Sequence, residues 1–179
     1  EEKQQALLKL ENFEEYRQQL GEKIKAREKE IQKLCGKLTK LREKAAGPLR
    51  DKLKEALVDL NFLDVEFSIS ITPGEEDFSV EGCDKVEFLI STNPGEELKP
   101  LWQIASGGEL SRIMLAFKTI FADRDETDTL VFDEIDTGIS GRTAWKVSEK
   151  LGRLSGNHQI ICITHLPQIA AMADTHFCI

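Results

Sequence analysis

The sequence predicts an α/β protein in which a parallel sheet is flanked by helices and preceded by one long helical arm. Over about the first 45 residues, apolar side chains recur every three or four positions, which is the spacing of a helix with one apolar stripe. Short apolar runs at 129–133 and 159–164 then alternate with amphipathic runs of helical period. Such alternation is typical of parallel strands that carry helices on their faces.

Composition bounds the kind of protein. The 179 residues are 40% hydrophobic and 31% charged, which is enough apolar material for a folded domain with an appendage. Residues 1–55 hold 15 Lys and Arg against 11 Asp and Glu, whereas the remainder holds 9 against 21. The acidic globular part is therefore a poor candidate for a broad DNA-binding surface. Contact with nucleic acid is expected from the basic arm, a local patch or portions of protein outside this chain.

Two further classes are not expected. The sequence has no apolar run of about 18 residues and its first segment is rich in Glu and Lys, so neither a membrane span nor a signal peptide is predicted. The four cysteines form no CxxC pair and have no histidine at metal-ligand spacing. They are interpreted as reduced thiols of an intracellular protein, and a zinc site is not expected.

The arm follows a heptad pattern. Its seam steps alternate between three and four residues, and nine of eleven seam positions are apolar: Leu10, Phe13, Arg17, Leu20, Ile24, Arg27, Ile31, Leu34, Leu38, Leu41 and Ala45. Arg17 and Arg27 interrupt the seam, and we expect their stems to snorkel or their charges to pair with acids on the facing helix. That facing helix must come from outside this chain. Gly47-Pro48 predicts a break, giving an arm over 1–47, a connecting helix over 48–60 and a lobe over 61–179.

The first part of the lobe is predicted to be a strand meander. Residues 62–71 alternate cleanly between apolar and polar side chains and predict a half-buried strand. Pro73-Gly74 predicts a turn, residues 78–80 and 85–91 predict further strands, and Asn93-Pro94-Gly95 predicts the closing turn. The elements expected after it are a helix to Phe121, a buried strand 129–133, a helix 142–154, a buried strand 159–164, a helix 166–173 and one more strand around 176–179.

The start of the first lobe helix is a candidate anion site. Ser106 is a plausible N-cap, and Gly107 and Gly108 would let backbone N–H groups approach an anion at the positive end of the helix dipole. Glu109 follows in the first turn. An ordinary capped helix after a tight turn explains the same residues, and the segment alone leaves both interpretations open.

The ends of the two buried strands carry the other candidate groups. Asp133 and Glu134 end the first strand, where ligands of open parallel sheets bind. One acid can hold a hydrated Mg²⁺ while the other orients or deprotonates a water that attacks a γ-phosphate. His165 ends the second strand and is expected at the same edge, within reach of that phosphate or water. Plain structural roles remain the alternatives, and His158 and His176 are given no role.

Taken together, four motif strings resemble one family: 93–96 (NPGE), 104–112 (IASGGELSR), 131–141 (VFDEIDTGISG) and 164–168 (THLPQ). Their order is similar to the C-terminal lobe of ABC-type ATPase heads, and the coiled coil points to the SMC-like branch. Within that branch the strings resemble the bacterial RecN family, which acts in DNA double-strand break repair and recombination. The resemblance covers most of residues 60–179, whereas the arm agrees only in kind.

The resemblance implies roles for individual residues. Ser106, Gly107, Gly108 and Glu109 would be the ABC signature, which acts in trans on the nucleotide of a second head. Asp133 and Glu134 would be the Walker B pair, with Asp133 on Mg²⁺ through water and Glu134 catalytic. Asp136, Thr137 and Gly138 would lie in the D-loop, and His165 would be the catalytic switch histidine. ATP and Mg²⁺ would be the cofactors.

The missing motif limits this interpretation. No GxxxxGK[ST] string occurs, so the P-loop would lie in an N-terminal lobe of the same protein, and this fragment alone is predicted not to hydrolyse ATP. Further implied partners are a second copy, through heads that sandwich ATP, and DNA ends or single strands; no membrane is expected, and the location would be the bacterial cytoplasm at the nucleoid. The alternatives are a non-catalytic coiled-coil tether or scaffold, another SMC-like head, and a metal-dependent nuclease using Asp133, Glu134 and His165.

Overall fold

The computed structural model describes residues 2–74, 78–104 and 106–178; the side chains of 2, 4–9 and 11 are not described. Ala105 of the signature string and Ile179 of the last expected strand lie outside the described residues. The elements in chain order are α1 (Glu2–Val58), β1 (Glu66–Thr72), β2 (Lys85–Ser91), β3 (Lys99–Pro100), α2 (Gly107–Phe121), β4 (Thr129–Phe132), α3 (Gly141–Leu154), β5 (Gln159–Cys162) and α4 (Pro167–Ala170). Short 3₁₀ turns follow β3 and α2, at Leu101–Gln103 and Ala122–Arg124.

The chain divides into two compact units, one formed by residues 1–44 with 71–86 and the other by residues 45–70 with 87–179. In the first unit, the Asp84 carboxylate accepts hydrogen bonds from Thr39 Oγ1 at 2.6 Å and Arg42 Nη1 at 2.8 Å. These bonds from Thr39 and Arg42 hold the pKa of Asp84 below its usual value, and they tie the hairpin turn to α1.

The seam of the arm is exposed along α1. Leu10, Leu34 and Leu41 keep 61%, 56% and 64% of their surface in contact with solvent. The two seam arginines pair with acids of their own helix, since Arg17 lies 3.5 Å from Glu14 and Arg27 donates to Glu30 at 2.7 Å. Such exposed i,i+3 ion pairs contribute little to stability. The seam therefore remains a solvent-exposed apolar stripe with polar side chains on both sides.

The predicted helix break at Gly47-Pro48 is wrong, because α1 continues to Val58 with Pro48 inside it. Proline costs one backbone hydrogen bond and about 3 kcal/mol in a helix interior. Gly47 reduces that cost because it carries no side chain for the proline ring to clash with. Two turns later, Leu53 and Leu57 are fully buried in the core. Each such side chain contributes about 1.5–3 kcal/mol, which is enough to hold the helix together through the proline.

The first sheet has the order β1-β2-β3. The strands predicted at 62–71 and 85–91 are present, although the first begins only at Glu66. The two-residue β3 was not predicted; it pairs antiparallel with β2, with Leu89 opposite Pro100. The strand predicted at 78–80 is wrong, since Ser79 makes only an isolated bridge to Gly82. Gly82 has φ +99°, so the chain closes there into a tight turn rather than extending.

The second sheet confirms the predicted parallel pairing. Strand β4 pairs with β5 in parallel, from Thr129 opposite Gln159 to Phe132 opposite Cys162. The expectation that these two strands are buried holds for one face of β4 only: Leu130 and Phe132 are buried, but Val131 is 64% exposed and Ile161 of β5 is 47% exposed. One face packs inward with α2 and α3 beside it, and the other is open and apolar.

The chain ends differ from expectation as well. Helix α4 covers only Pro167–Ala170 instead of the predicted 166–173. Residues 176–178 form no strand, because an extended segment needs a neighbour to take its backbone hydrogen bonds and no such neighbour pairs with it in the described chain. Within the core of the second unit, the rings of Phe67, Phe88 and Phe117 pack at centroid distances of 5.3–6.0 Å, and Ile113 is fully buried in the same core.

Candidate functional site at the carboxyl ends of two parallel strands

The capped start of α2 is confirmed. Ser106 has the extended backbone of an N-cap, φ −92° and ψ 120°, and its hydroxyl accepts a hydrogen bond from the backbone N–H of Glu109 at 3.4 Å. Glu109 lies in the first turn, where a negative charge complements the helix dipole. The helix therefore begins where the sequence predicted. Its first turn, which starts at Gly107, carries the backbone N–H groups that would face a bound anion.

Both signature glycines lie against the loop that follows β4. A methyl group on Gly107 would overlap the Glu134 carboxylate, and a Cβ on Gly108 would lie 2.8 Å from the carbonyl oxygen of Glu134 and 2.9 Å from Thr137 Cβ. The carbonyl oxygen that faces Gly108 is backbone and cannot yield without a shift of the loop. At Gly108 the backbone blocks any side chain, so packing inside the chain requires a glycine there; at Gly107 the flexible Glu134 side chain could move aside.

Asp133 and Glu134 lie at the end of β4, as predicted, and both are exposed. The Asp133 carboxylate accepts a hydrogen bond from the Glu134 backbone N–H at 2.8 Å, and its carbonyl accepts one from Ser111 Oγ at 2.7 Å. Glu134 has φ +56°, an unfavourable conformation for a residue with a side chain. Ser111, in the first turns of α2, therefore fixes the end of β4, a role that the sequence did not reveal.

The loop after Glu134 is held from beneath by Arg112. This arginine is 6% exposed, and its Nη1 donates to the carbonyl oxygens of Ile135 at 3.3 Å and Thr137 at 2.7 Å. Its guanidinium also lies 5.5 Å from the ring centre of Phe62. Burial lowers the pKa of Arg112 from its ordinary value, although an arginine stays charged at such positions. Arg112 was part of a motif string but had no predicted role.

The other end of the loop reaches the end of β5. Asp136 is 3% exposed, and its Oδ2 accepts hydrogen bonds from the Thr164 hydroxyl and from the His165 backbone N–H at 2.8 Å. The same oxygen lies 3.1 Å from His165 Nδ1, while the His165 side chain stays 73% exposed. Thr137 closes a turn by donating its N–H to the Glu134 carbonyl at 3.0 Å, and Gly138 follows with φ +75°.

The structure thus brings all the predicted site residues to one edge of the parallel sheet. Gly107 and Gly108, between Ser106 and Glu109, lie against Glu134 and Thr137, and Asp136 joins that loop to His165. Cys162 lies close by, but burial raises the pKa of its thiol to about 11, with the charges of Asp136 and Asp133 adding to the effect. It is a protonated thiol near neutral pH and no candidate nucleophile.

The donor set fits a magnesium ion held mainly by its substrate. No group of three or more His, Cys, Asp or Glu that could cage a metal occurs among the residues that the structure describes. Mg²⁺ is commonly bound through one or two carboxylates, waters and substrate phosphates. The exposed Asp133 carboxylate meets that requirement.

Among the residues that the structure describes, no helix is long and apolar enough to cross a membrane.

The chain is similar in sequence to known DNA repair proteins. The chain is 42% identical over 161 residues to the DNA repair protein RecN of Halalkalibacterium halodurans, covering 88% of this chain and 28% of that protein. It is 38% identical over 181 residues to the DNA repair protein RecN of Bacillus subtilis, covering 93% of this chain and 31% of that protein. The chain therefore spans about three tenths of the length of these relatives.

Solved structures agree on the fold. An Smc head domain with an extended coiled coil from Pyrococcus furiosus, bound to the C-terminal domain of ScpA, has a TM-score of 0.52 at 22% identity, over 75% of this chain and 31% of that one. An Smc head domain with a coiled coil and joint from Pyrococcus yayanosii has the same TM-score and identity, over 75% and 24%. No protein-family model matches the chain. The chain is a relative of the DNA repair protein RecN and has the fold of part of an Smc head domain.

Proposed function

We propose that this chain is the part of an SMC-like ATPase head that supplies the signature helix, the Walker B pair and the switch histidine for a protein of DNA double-strand break repair. The observation that carries the proposal is the convergence of Ser106, Asp133 and His165 at one sheet edge, through the Ser111 and Asp136 hydrogen bonds. The RecN relatives support the repair role, since they are similar to nine tenths of the chain.

Each exposed group has a defined task in this proposal. Asp133 holds a water of the magnesium shell, and Glu134 orients and deprotonates the water that attacks the γ-phosphate. His165 contacts that phosphate or the attacking water through its imidazole. When bound, Mg²⁺ supplies positive charge to the phosphate oxygens. Support comes from the exposure of all three side chains at the open edge, where a nucleotide can reach them.

The site is only half of what hydrolysis needs. The sequence holds no P-loop string, so ATP is held by an N-terminal lobe of the same protein. The open apolar face of β4 and β5 supports a covering lobe, because Val131, Ile161 and Ile163 are 64%, 47% and 56% exposed there. The signature helix acts on the nucleotide of a second copy, so ATP joins two heads and hydrolysis releases them.

The arm links this cycle to DNA. Its exposed seam fits a second helix of the same heptad pattern, and paired arms transmit head opening to DNA ends or single strands in the cytoplasm, at the nucleoid. The net positive charge of residues 1–55 supports contact with phosphate along the arm rather than on the acidic lobe. The same seam also suits a coiled-coil tether that does not hydrolyse ATP. The experiment must therefore distinguish an ATPase from such a tether.

The test is ATP turnover by the purified chain and by the longer protein that carries the P-loop lobe. We expect no turnover by the chain alone, and turnover by the longer protein that falls about 100-fold or more in Glu134→Gln, because the general base is lost. A longer protein that binds ATP but never hydrolyses it would support the tether. Turnover by the chain alone that vanishes in Glu134→Gln would contradict the proposal that this chain carries only part of the ATPase site.

A further inference from the structure

A buried carboxylate lies directly behind the exposed imidazole of His165. Asp136 Oδ2 is 3.1 Å from His165 Nδ1 and accepts the His165 backbone N–H at 2.8 Å. One oxygen therefore contacts both the main chain and the ring of the same residue, which restrains rotation of the ring about its side-chain bonds. The Asp136 side chain is 4% exposed and the His165 side chain 73% exposed, so the restraint is internal while the ring stays accessible.

The carboxylate itself is held in place from several sides. The Thr164 hydroxyl donates to the same oxygen. Arg112 donates to the carbonyl oxygens of the residues on either side of Asp136, Ile135 and Thr137. Burial works to raise the pKa of Asp136, but the Thr164 hydroxyl, the His165 N–H and the His165 ring outweigh it, and the pKa lies below its usual value. The group is a fixed anion rather than a mobile one.

A fixed carboxylate determines which ring nitrogen carries the proton. An ionised carboxylate is negatively charged and only accepts hydrogen bonds, so at 3.1 Å from Asp136 Oδ2 a proton on Nδ1 is favoured over the lone pair of an unprotonated nitrogen. The neutral ring is then protonated at Nδ1, and Nε2 is the nitrogen left to meet a ligand. The same arrangement orients histidines in metal sites and hydrolase triads, where a carboxylate selects the tautomer.

We infer that Asp136 is a positioning residue that fixes the orientation and the Nδ1–H tautomer of His165, so that Nε2 is presented at the open edge of the sheet. What Nε2 meets there, a γ-phosphate oxygen or the attacking water, rests on the proposed function. The tautomer of His165 does not rest on the proposed function, because it is a property of this chain without nucleotide.

The test is the ¹⁵N spectrum of the three imidazoles in the chain at a pH where they are neutral, with His165 assigned through His165→Gln. We expect a protonated Nδ1 in the wild type and a shift towards the Nε2–H tautomer in Asp136→Ala. Asp136→Asn retains an acceptor oxygen and should restore Nδ1–H. Thr164→Val is the matched control, because it removes a bond to the same carboxylate without touching the ring and should leave the tautomer unchanged.

His158 serves as an internal reference. Its Nδ1 lies 2.7 Å from the carbonyl oxygen of Thr127, which only accepts, so its Nδ1–H tautomer should persist in every variant. An Nε2–H tautomer of His165 in the wild type would overturn the inference, as would an unchanged tautomer in folded Asp136→Ala. Should the alanine variant fail to fold, the wild-type and asparagine spectra decide it, since both must show Nδ1–H.

Turnover in the longer protein separates this inference from the proposed function. We expect kcat to fall about tenfold in Asp136→Ala, with KM for ATP little changed, and to recover in part in Asp136→Asn. The confirmed tautomer together with a complete lack of ATP hydrolysis would sink the proposed function and leave the positioning role intact. Normal kcat in Asp136→Ala would contradict the positioning role while the ATPase stands.

Discussion

Two sets of residues meet at the open edge of the parallel sheet and are held very differently. The exposed set, Asp133, Glu134 and the His165 imidazole, faces solvent. The buried set beneath it, Arg112 and Asp136, is 6% and 3% exposed and uses its charges on carbonyl oxygens, a hydroxyl and N–H groups of the chain. Apart from Arg112 Nε, which has no hydrogen-bond partner in the described structure, the buried set bonds to the protein itself, whereas the exposed set is left to act on what binds.

This difference indicates where each kind of substitution should be felt. A buried charge whose partner is removed costs stability because the remaining group stays desolvated. Removing an exposed charge changes the free energy of unfolding little, because water replaces its partners. At the candidate site the same change should have a large effect on ATP turnover. Substitutions in the buried set should therefore lower the free energy of unfolding, and those in the exposed set should lower turnover while leaving that free energy nearly unchanged.

The largest stability effect is expected for Arg112→Met. The carbonyl oxygens of Ile135 and Thr137 lose their donor, and we expect the free energy of unfolding to fall by about 2–3 kcal/mol. Urea unfolding followed by circular dichroism measures it. Arg124→Met is the matched control, because Arg124 is exposed and its loss should stay within about 0.5 kcal/mol. Equal losses in the two variants would remove the distinction between buried and exposed sets.

A smaller effect is expected for Gly108→Ala, which tests the packing of α2 against the loop after β4. The new Cβ meets the Glu134 carbonyl oxygen and Thr137, so backbone must move, at a cost of about 1–3 kcal/mol that the helix preference of alanine partly offsets. Gly156→Ala is the control, since the nearest atom to its Cβ is the Arg153 carbonyl oxygen at an ordinary 3.5 Å. A stable Gly108→Ala variant would show that the loop yields easily.

The smallest effect concerns pH and the buried carboxylate. Because the pKa of Asp136 in the folded chain lies below its usual value of 3.8, its ionised form stabilises the fold above that pH, and this contribution is lost as pH falls through the folded pKa. The stability of the wild type should therefore decline relative to Asp136→Asn below about pH 4. Urea unfolding of both proteins from pH 7 to pH 3 measures the difference, in which the other carboxyls cancel. A constant difference would contradict a fixed anion at this position.

Sequence patterns predicted the exposed residues of the candidate site better than the buried residues that hold them in place. The residues at 106–109, 133–134 and 165 follow from a capped helix and from apolar strands that end in polar groups, which are local signals. The support was not predictable in this way: Arg112 and Asp136 act across 25 and 29 residues, on Thr137 and His165, and no spacing rule marks such pairs. Asp136 was expected at this edge as a D-loop residue and Arg112 lies in a motif string, but neither was given the supporting contact that the structure shows.

The fold was predictable where periodicity is strong and failed where packing decides. The parallel pairing of β4 with β5 and the bounds of β2 follow from the apolar runs. The break at Pro48 failed because burial of Leu53 and Leu57 holds α1 together. Full burial of β4 failed because its apolar pattern reports a face that nothing in the described chain covers. The domain boundaries at 47 and 60 stay predictions.

The most direct test of the central claim is complementation between two inactive forms of the longer protein, Ser106→Arg and Glu134→Gln. Each form alone should bind ATP but not hydrolyse it. If the signature helix acts on the nucleotide of the second copy, a mixed dimer keeps one site with both residues intact, and an equal mixture should recover about a quarter of wild-type turnover. The structure places Ser106 and Glu134 at the same edge of one chain, so action within a single head is the alternative. A mixture that binds ATP and stays inactive would contradict the shared site.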